Sequence, residues 1–560
     1  MKKLIECVPN FSEGRNLEII KQITDEIESV EGINLLDVDP GKATNRTVVT
    51  FVGEPENVIE AAFLGIKKAS EVIDMSKHKG AHPRFGATDV CPLVPVAGIT
   101  MEETIEYARK LAKKVGEELN IGIYCYENAA FIEERKNLAT CRAGEYEGLK
   151  EKLKNNRWKP DFGSAEFNPK AGVTAIGARD FLVAINFNLN TTSVRRANAV
   201  AFDVREKGRI KREDGKLKGK IVKDKSGETL REPGTLKSTK AIGWFIDEYG
   251  IAQISMNITN ISITPVHIAF EEVSKKAQQR GMRVTGIELV GLIPLQAMID
   301  AGKYFLKKQE RSSGISESEI LMIAIKSMGI DDLYKFKPEE KIIEYMIDAK
   351  SKNNLVDMTL KGFVDETGSE SPAPGGGSVS AAVGAMGVAL GTMVANLSSH
   401  KRGWDNRWEE FSDWAEKGQK YMQELTYLVD EDTNAFNKIM DAFGLPKAND
   451  EEKKIRKQAI TDATKYAIEI PFKVMKASYK SMEVIKAMAD FGNPNSASDA
   501  GVGALCANMA VKGAFLNVRI NAVDLKEDSF VAEILKEGEQ IIEQSAKLES
   551  VILSLVDKNL

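Results

Sequence analysis

The sequence predicts a multidomain α+β protein: two split-βαβ (ferredoxin-like) subdomains followed by an all-α helical-bundle domain. Three observations carry that expectation. Short β-branched runs alternate with helical apolar spacing through the first half of the chain. The order β-α-β-β-α-β occurs there twice. After Gly377 the strand signals stop and helical spacing continues to the end, which argues for a separate domain and not for one mixed sheet.

In the first unit, Lys3–Val8, Ile33–Val38, Thr47–Val52, residues 87–96 and Ile121–Tyr126 read as strands. Residues 17–30, 55–72 and 101–118 read as helices between them. The second unit repeats the order. Phe181–Asn188 is a strand and 192–207 a helix. A hairpin follows, Ala241–Asp247 with Ala252–Asn257, then a helix over 265–280 and a strand over 284–292. A polar stretch rich in Lys, Gly and Glu, 207–240, reads as a surface insertion. Two such units side by side leave a cleft between their sheets. A polar connector begins near 348, and helices are expected over 378–398, 406–443, 451–477, 497–523 and 529–556. The expected boundaries are 1–180, 181–347, a linker at 348–355, and 356–560.

The length, 560 residues, corresponds to roughly three or four domains. A net charge of −5 lacks the basic excess of a nucleic-acid binder. Five scattered cysteines without a CxxC pair, and only four histidines, point away from a disulfide framework and from a metal site. Reduced thiols suit the cytoplasm. The N-terminal apolar run is cut short by Glu6 and Pro9, unlike a signal peptide. The uncharged stretch from Pro372 to Ser399 is made mainly of Gly, Ala and Ser, and reads as a buried helix, not a membrane span.

Chemistry is suggested at four places. In SKHKGAHPRFGATDVC, Pro83 keeps His82 off the α region, so its imidazole sits on a loop with a pKa suited to acid–base work; a solvated loop histidine is the plain alternative. Asp37, Asp39, Arg46, Arg84, Asp89 and Arg179 surround it in sequence. Asp39 can orient an imidazole or simply begin an Asp-Pro-Gly turn, and the arginines suit a dicarboxylate substrate or plain solvation. Second, Gly375, Gly376, Gly377 and Ser378 precede a helix, where backbone amides can approach an anion or a ring, or form only a flexible turn. The helix beyond carries Gly384, Gly387 and Gly391, a stripe suited to a close helix contact within the chain or between copies. Third, the stripe Leu425, Val429, Asp432, Phe436, Ile439 puts Asp432, and not Asp430, at a core position. A carboxyl there is either a structural ion pair or an acid held partly protonated. Fourth, Asp499, Gly503, Cys506, Ala510, Gly513, Asn517 and Ile520 form another stripe, with Asn521 one turn on. Asp499 suits the helix dipole, and Asn517 with Asn521 suits a polar heterocycle.

Four segments, ECVPNFSEGRN, KGAHPRFGATDVCP, KAGVTAIGARDFLVAINFNL and APGGGSVSAAVGAMGVALGTMV, resemble the formimidoyltransferase-cyclodeaminase family, in the same order and over nearly the whole chain. The resemblance implies transfer of the formimino group from N-formimino-L-glutamate to N5 of tetrahydrofolate, then cyclisation to 5,10-methenyltetrahydrofolate with loss of ammonia. It implies His82 as the transferase catalytic residue and Asp432, in LVDEDTNAF, as that of the cyclodeaminase. It implies a folate-contacting segment made of Gly163, Ser164, Ala165, Glu166, Phe167, Asn168, Pro169, Lys170, Ala171 and Gly172. It further implies tetrahydrofolate, polyglutamylated, as co-substrate, no metal, and a ring-like homo-oligomer built from dimers. The runner-up is a glutamate formyltransferase fused to a methenyltetrahydrofolate cyclohydrolase. A non-catalytic folate-binding scaffold is a third reading, and the presence of both His82 and Asp432 weighs against it.

Overall fold

The computed structural model describes residues 3–42, 45–80, 83–213, 219–348, 354–525 and 528–560. By packing, the chain divides into two compact units, residues 1–298 with 328–350, and 299–327 with 351–560.

The first sheet of the first unit has strands β1 (Leu4–Cys7), β2 (Asn10–Phe11), β3 (Asn34–Gly41), β4 (Arg46–Gly53), β5 (Thr88–Ala97), β6 (Gly122–Glu127) and β7 (Val173–Ala178). β3 pairs with β4. β1 and β2 lie in line between β4 and β5, all antiparallel, which is the order of a split βαβ unit. β7 and β6 then extend the sheet beyond β5 in parallel. β7 was not among the expected strands. Its run VTAIGA is buried throughout and so lacks the alternation that marks a half-exposed strand.

Helices Leu17–Glu28, Pro55–Val72 and Met101–Leu119 cover one face of this sheet. Their ends are set locally. Asn16 caps the first, Pro55 opens the second, and Thr100 with Glu103 forms a capping box on the third. Ile23, Ile27, Val58, Ile66, Leu111 and Val115 pack against Ile5, Cys7, Phe11, Phe51, Cys91 and Leu93. Alternation sends Glu6, Asn10 and Arg46 to the other face. That face is partly covered by the short helices Leu138–Arg142 and Glu145–Lys152, over Tyr124, Leu149 and Leu153.

The second sheet uses β8 (Val183–Leu189) and, beyond the insertion, three further strands. The insertion itself holds a two-stranded ladder, β9 (Arg209–Ile210) with β10 (Arg231–Glu232). Strands β11 (Thr239–Ile246), β12 (Ile251–Ile258) and β13 (Val284–Val290) give the order β11-β12-β8-β13. This is again the split βαβ order, with helices Val194–Val204 and Val266–Gln278 as its two crossovers.

The second unit is built on helices Gly376–Ser399, Trp408–Gly444, Asp450–Phe491, Ala497–Asn521 and Ser529–Asp557. The third runs well past the expected end at 477, because its buried stripe continues through Ser478, Met482, Ile485 and Met488. Gly384, Gly387 and Gly391 make contacts within the chain. A Cβ on Gly384 would press on Ser478 and Ala510, one on Gly387 on Cys506 and the Gly503 carbonyl, and one on Gly391 on Ile485. The 376–399 helix therefore sits backbone-close to two neighbours. It is long and apolar enough to cross a membrane, but more than half of its most apolar window is buried in this packing. Residues 312–314 are laced into the same unit. Ser312 Oγ donates to Asn396 Oδ1 at 2.7 Å, Asn396 Nδ2 donates to the Gly314 carbonyl at 2.7 Å, and Gly314 leaves no room for a Cβ against Ala415.

Gly86 and Gly172 face each other in an isolated bridge, and a Cβ on Gly86 would fall on the Val173 carbonyl. Gly86→Ala is expected to lower the stability of the first unit by about 2–3 kcal/mol, since only backbone movement can relieve the overlap. Thermal melts of variant and parent check it, and equal melting curves would contradict the packing described.

Candidate active sites

The first constellation lies on the open face of the first sheet. Between β2 and β5 the register slips, so that Asn10 faces Val90 while Phe11 faces Thr88. Asp89 is the extra residue, and the irregularity re-aims its side chain. It is fully buried, 0% exposed. Its Oδ2 accepts from Arg46 Nη1 at 2.7 Å and from Arg142 Nη2 at 2.5 Å, and its Oδ1 from the Phe85 amide at 3.0 Å. Arg46 also donates to Asn10 Oδ1. One carboxylate is thus shared by two guanidiniums, which leaves net positive charge beneath the face and suits an anionic substrate group.

Arg142 was not expected from the sequence. It is distant in the chain, and only the 138–142 helix brings it here. Arg84 belongs to a neighbouring cluster. It donates to Glu147 at 2.7 and 2.9 Å, to Glu145 at 3.3 Å, and through Nε to His78 Nδ1 at 3.2 Å. With Nδ1 accepting, His78 Nε2 carries the proton and donates to the Asn45 carbonyl at 2.8 Å. Burial, aided by the Arg84 charge, holds this imidazole below its usual pKa against the pull of that carbonyl.

His82 lies outside the described residues, between His78 and Arg84 in sequence. Asp39 is exposed on the edge strand β3, across from Val48, and is not drawn into the Arg46–Asp89 cluster. Its neighbour Asp37 is pushed up by burial and by the Asp39 charge. Arg179 sits at the far end of the face, with its amide on the Leu93 carbonyl and its Nη1 on the Asp180 carbonyl.

The segment from Gly163 to Gly172 (Ser164, Ala165, Glu166, Phe167, Asn168, Pro169, Lys170 and Ala171 between them) is held by its ends. Gly163 and Gly172 both have positive φ, at 78° and 65°. Asn168 Oδ1 accepts from the Lys170 and Ala171 amides, both at 3.0 Å, and Tyr146 OH donates to the Pro169 carbonyl at 2.6 Å. Phe167 packs on Tyr146 with ring centroids 5.6 Å apart. Glu166 is exposed.

The second constellation is in the helical unit. A cavity of about 180 Å³ is lined by Gly375, Gly376, Asp432, Phe436, Asn517 and Asn521, among others. Asp432 Oδ2 accepts from the Ser378 amide at 2.9 Å and from Ser378 Oγ at 3.2 Å. Gly377 has no space for a Cβ, because the Asp432 carboxyl occupies it. Burial pushes this carboxyl up, opposed by the Ser378 hydroxyl and amide. Ser378 is itself buried, and its single hydroxyl hydrogen is shared between Asp432 and the Val429 carbonyl, 2.8 Å away.

Asp430 does something else: it accepts from the Leu355 amide at 2.6 Å and fixes the start of the unit. Glu431, on a third face, is held by Tyr427, Asn434 and Tyr466. The expected core stripe needs one correction. Phe436 is 42% exposed and lines the cavity, so the stripe leaves the core at Asp432. Asp499 is in the first turn of the 497–521 helix, about 27 Å along it from Asn517, where it complements the dipole and does not reach this cavity.

Glu6, which sequence reasoning passed over, is 4% exposed on the open face of β1, flanked in register by Val52 and Val94. Burial pushes its carboxyl up to about 7, opposed by Arg179 and reinforced by Glu344. A carboxyl raised in the fold contributes stability below its unfolded value, and that stability is lost as pH rises through about 7. Glu6→Gln should remove the loss. Between pH 4.5 and 8 the parent is expected to fall by about 3 kcal/mol relative to the variant. Parallel pH profiles of the first unfolding transition would refute this.

Family models match in three blocks: the formiminotransferase domain, N-terminal subdomain, over residues 4–179; the formiminotransferase domain over 184–348; and formiminotransferase-cyclodeaminase over 359–540. A formimidoyltransferase-cyclodeaminase of Dictyostelium discoideum is 42% identical over 558 residues, 99% of each chain. A glutamate formimidoyltransferase of Streptococcus pyogenes serotype M1 is 40% identical over 310 residues, 55% of this chain and 95% of its own. A methenyltetrahydrofolate cyclohydrolase of Methylorubrum extorquens is 36% identical over 198 residues, 35% of this chain and 95% of its own. With full-length similarity at this level, and with the three family blocks in order along the chain, it belongs to the formimidoyltransferase-cyclodeaminase family.

Proposed function

We propose that the chain performs both family reactions: formimino transfer from N-formimino-L-glutamate to tetrahydrofolate in the first unit, and cyclodeamination of 5-formiminotetrahydrofolate in the second. The observation that carries this reading is the partly buried Asp432 carboxyl at the edge of a cavity, bonded through one oxygen to Ser378.

In transfer, N5 must lose a proton as it attacks the formimino carbon, and the glutamate nitrogen must gain one as it leaves. His82 takes the first and returns the second, as one imidazole with a near-neutral pKa can. Arg46 and Arg142, sharing Asp89, hold a carboxylate of the amino-acid substrate. The 163–172 segment contacts the folate.

In cyclodeamination, N10 attacks the formimino carbon and loses its proton, and the imino nitrogen gains protons until it leaves as ammonia. Both transfers can pass through Asp432. Burial raises its carboxyl and so favours the neutral, donating form, and Oδ1 is the oxygen left for the ligand by the Ser378 bonds among the described residues. Gly375–Ser378 close one side of the ring site. These steps require proton transfers only, so no metal is invoked. The folate is taken to carry a polyglutamate tail, and the enzyme to work in the cytoplasm.

Oligomerisation into a ring built from dimers belongs to the same proposal. Val502, Leu505, Met509, Leu516 and Ile520 form an exposed stripe on one helix, stepping by three, four, seven and four residues, and Met386, Met393 and Leu397 form another on a neighbouring helix. Such seams suit a second copy of the same helices. Leu505→Glu with Met509→Glu should leave only dimers held by the ring's other contact, read as particle mass in light scattering; an unchanged mass excludes this face as the contact.

Glutamate release, folate product and ammonia, measured separately, test the two sites. His82→Ala should lower transfer by about a hundredfold or more while supplied 5-formiminotetrahydrofolate is still deaminated. Asp432→Asn should do the reverse, with 5-formiminotetrahydrofolate accumulating and Asp430→Asn doing far less. Both activities falling in proportion to a loss of stability would mark either residue as structural. Product without ammonia would favour the runner-up, formyl transfer with methenyl hydrolysis.

A further inference from the structure

The 450–491 helix contains Pro471 in its interior. Proline has no N–H, and its ring crowds the carbonyl one turn back, so the Ala467 carbonyl lacks its helical donor. In this structure that donor comes from another helix. Asn521 Nδ2 donates to the Ala467 carbonyl at 2.8 Å. Ala467 and Asn521 both line the cavity that holds Asp432. The neighbouring amide is set in the same sense, since Asn517 Nδ2 donates to the Gly513 carbonyl at 3.0 Å. Each asparagine has therefore spent a donor on backbone. Each keeps its Oδ1 as an acceptor, and the two lie one helical turn apart, with Cβ atoms roughly 5–6 Å from each other.

An unconstrained asparagine can flip and offer either a donor or an acceptor. Here the flip costs a hydrogen bond at a carbonyl of a buried residue whose i+4 donor Pro471 has removed. We infer that Pro471 is a positioning residue: by withholding a backbone donor it locks the Asn521 amide with its oxygen toward the cavity, and so selects a ligand edge rich in N–H donors. The pyrimidine edge of a pterin, with its ring N–H and adjacent amino group, has that character. The inference rests on the folate reading of this cavity and adds which edge of the folate is read and what fixes the reader.

The test is Pro471→Ala in the full chain. Alanine restores the N–H, which competes for the Ala467 carbonyl and releases Asn521. The expected result is a melting temperature unchanged or raised by about 2–4 °C, a KM for 5-formiminotetrahydrofolate raised about tenfold, kcat altered much less, and glutamate release by the transferase site unchanged. Asn521→Ala should raise KM similarly, and adding it to Pro471→Ala should raise KM little further, because both remove the same contact. A 5-formyltetrahydrofolate probe lacking the 2-amino group should bind parent and variants alike, while intact 5-formyltetrahydrofolate separates them.

An unchanged KM in Pro471→Ala overturns the inference. So does a lower melting temperature with unchanged KM, which would make the proline only a packing residue. If that variant fails to fold, Asn521→Ala alone decides: full affinity for the intact probe overturns the inference. Failure of the folate reading is separate, and would show as undiminished ammonia release in Asp432→Asn.

Discussion

The helical unit depends on one constraint: the Asp432 carboxyl has to lie against the first turn of the 376–399 helix. Three features of that turn make this possible. Gly377 offers no Cβ where the carboxyl sits, Ser378 supplies an amide and a hydroxyl to one oxygen, and the helix N-terminus favours negative charge. The glycine stripe farther along the same helix brings its backbone against the 450–491 and 497–521 helices, which fixes its axis and therefore its first turn. Asn517, directly against Gly376, then falls on the same cavity. The small residues that make this stretch look like a membrane span are the ones that let the site assemble.

The first unit meets a related problem with different means. An open sheet face gives no backbone amides at its centre, because they are spent on the ladder. Charge is placed there by a register slip at Asp89 and by a short helix that carries Arg142 across. The price is a fully buried carboxylate, tolerable because two guanidiniums and one amide satisfy it.

Much of this was legible in the sequence, for physical reasons that also explain what was not. Strand and helix order followed from period, and the split βαβ pattern recurred as expected in both halves. Asp432 was separable from Asp430 by helical phase alone, and the structure gives the two different partners. Three things had no local signal. β7 is buried on both faces and carries no alternation. The bulge at Asp89 is a property of a strand pair, and neither strand alone shows it. The partnership of Pro471 with Asn521 joins positions on two helices, and an interior proline reads locally as a helix break, not as half of a hydrogen bond. Asp39 stands on the exposed edge strand β3 across from Val48, and its relation to His82 lies outside the described residues.

Asp89 and Asp432 also show why a carboxyl in a cleft is not by itself an acid. Asp89 is bonded to two guanidiniums and an amide, so its part is to hold Arg46 and Arg142 side by side beneath the face. Asp432 is acted on by burial and by the Ser378 bonds, with no cation contributing among the described residues. Burial prefers the neutral form and those bonds the charged one, and burial wins, so the carboxyl stands above its ordinary value. The proposed ring closure asks the same group to take a proton from N10 and give one to a departing nitrogen, and a raised carboxyl is the better donor for the second step. An arginine placed beside Asp432 would secure the carboxylate and, by the same stroke, end its use as a donor. The apolar lining of Phe436 and Ile439 is accordingly part of the acid–base chemistry of the site.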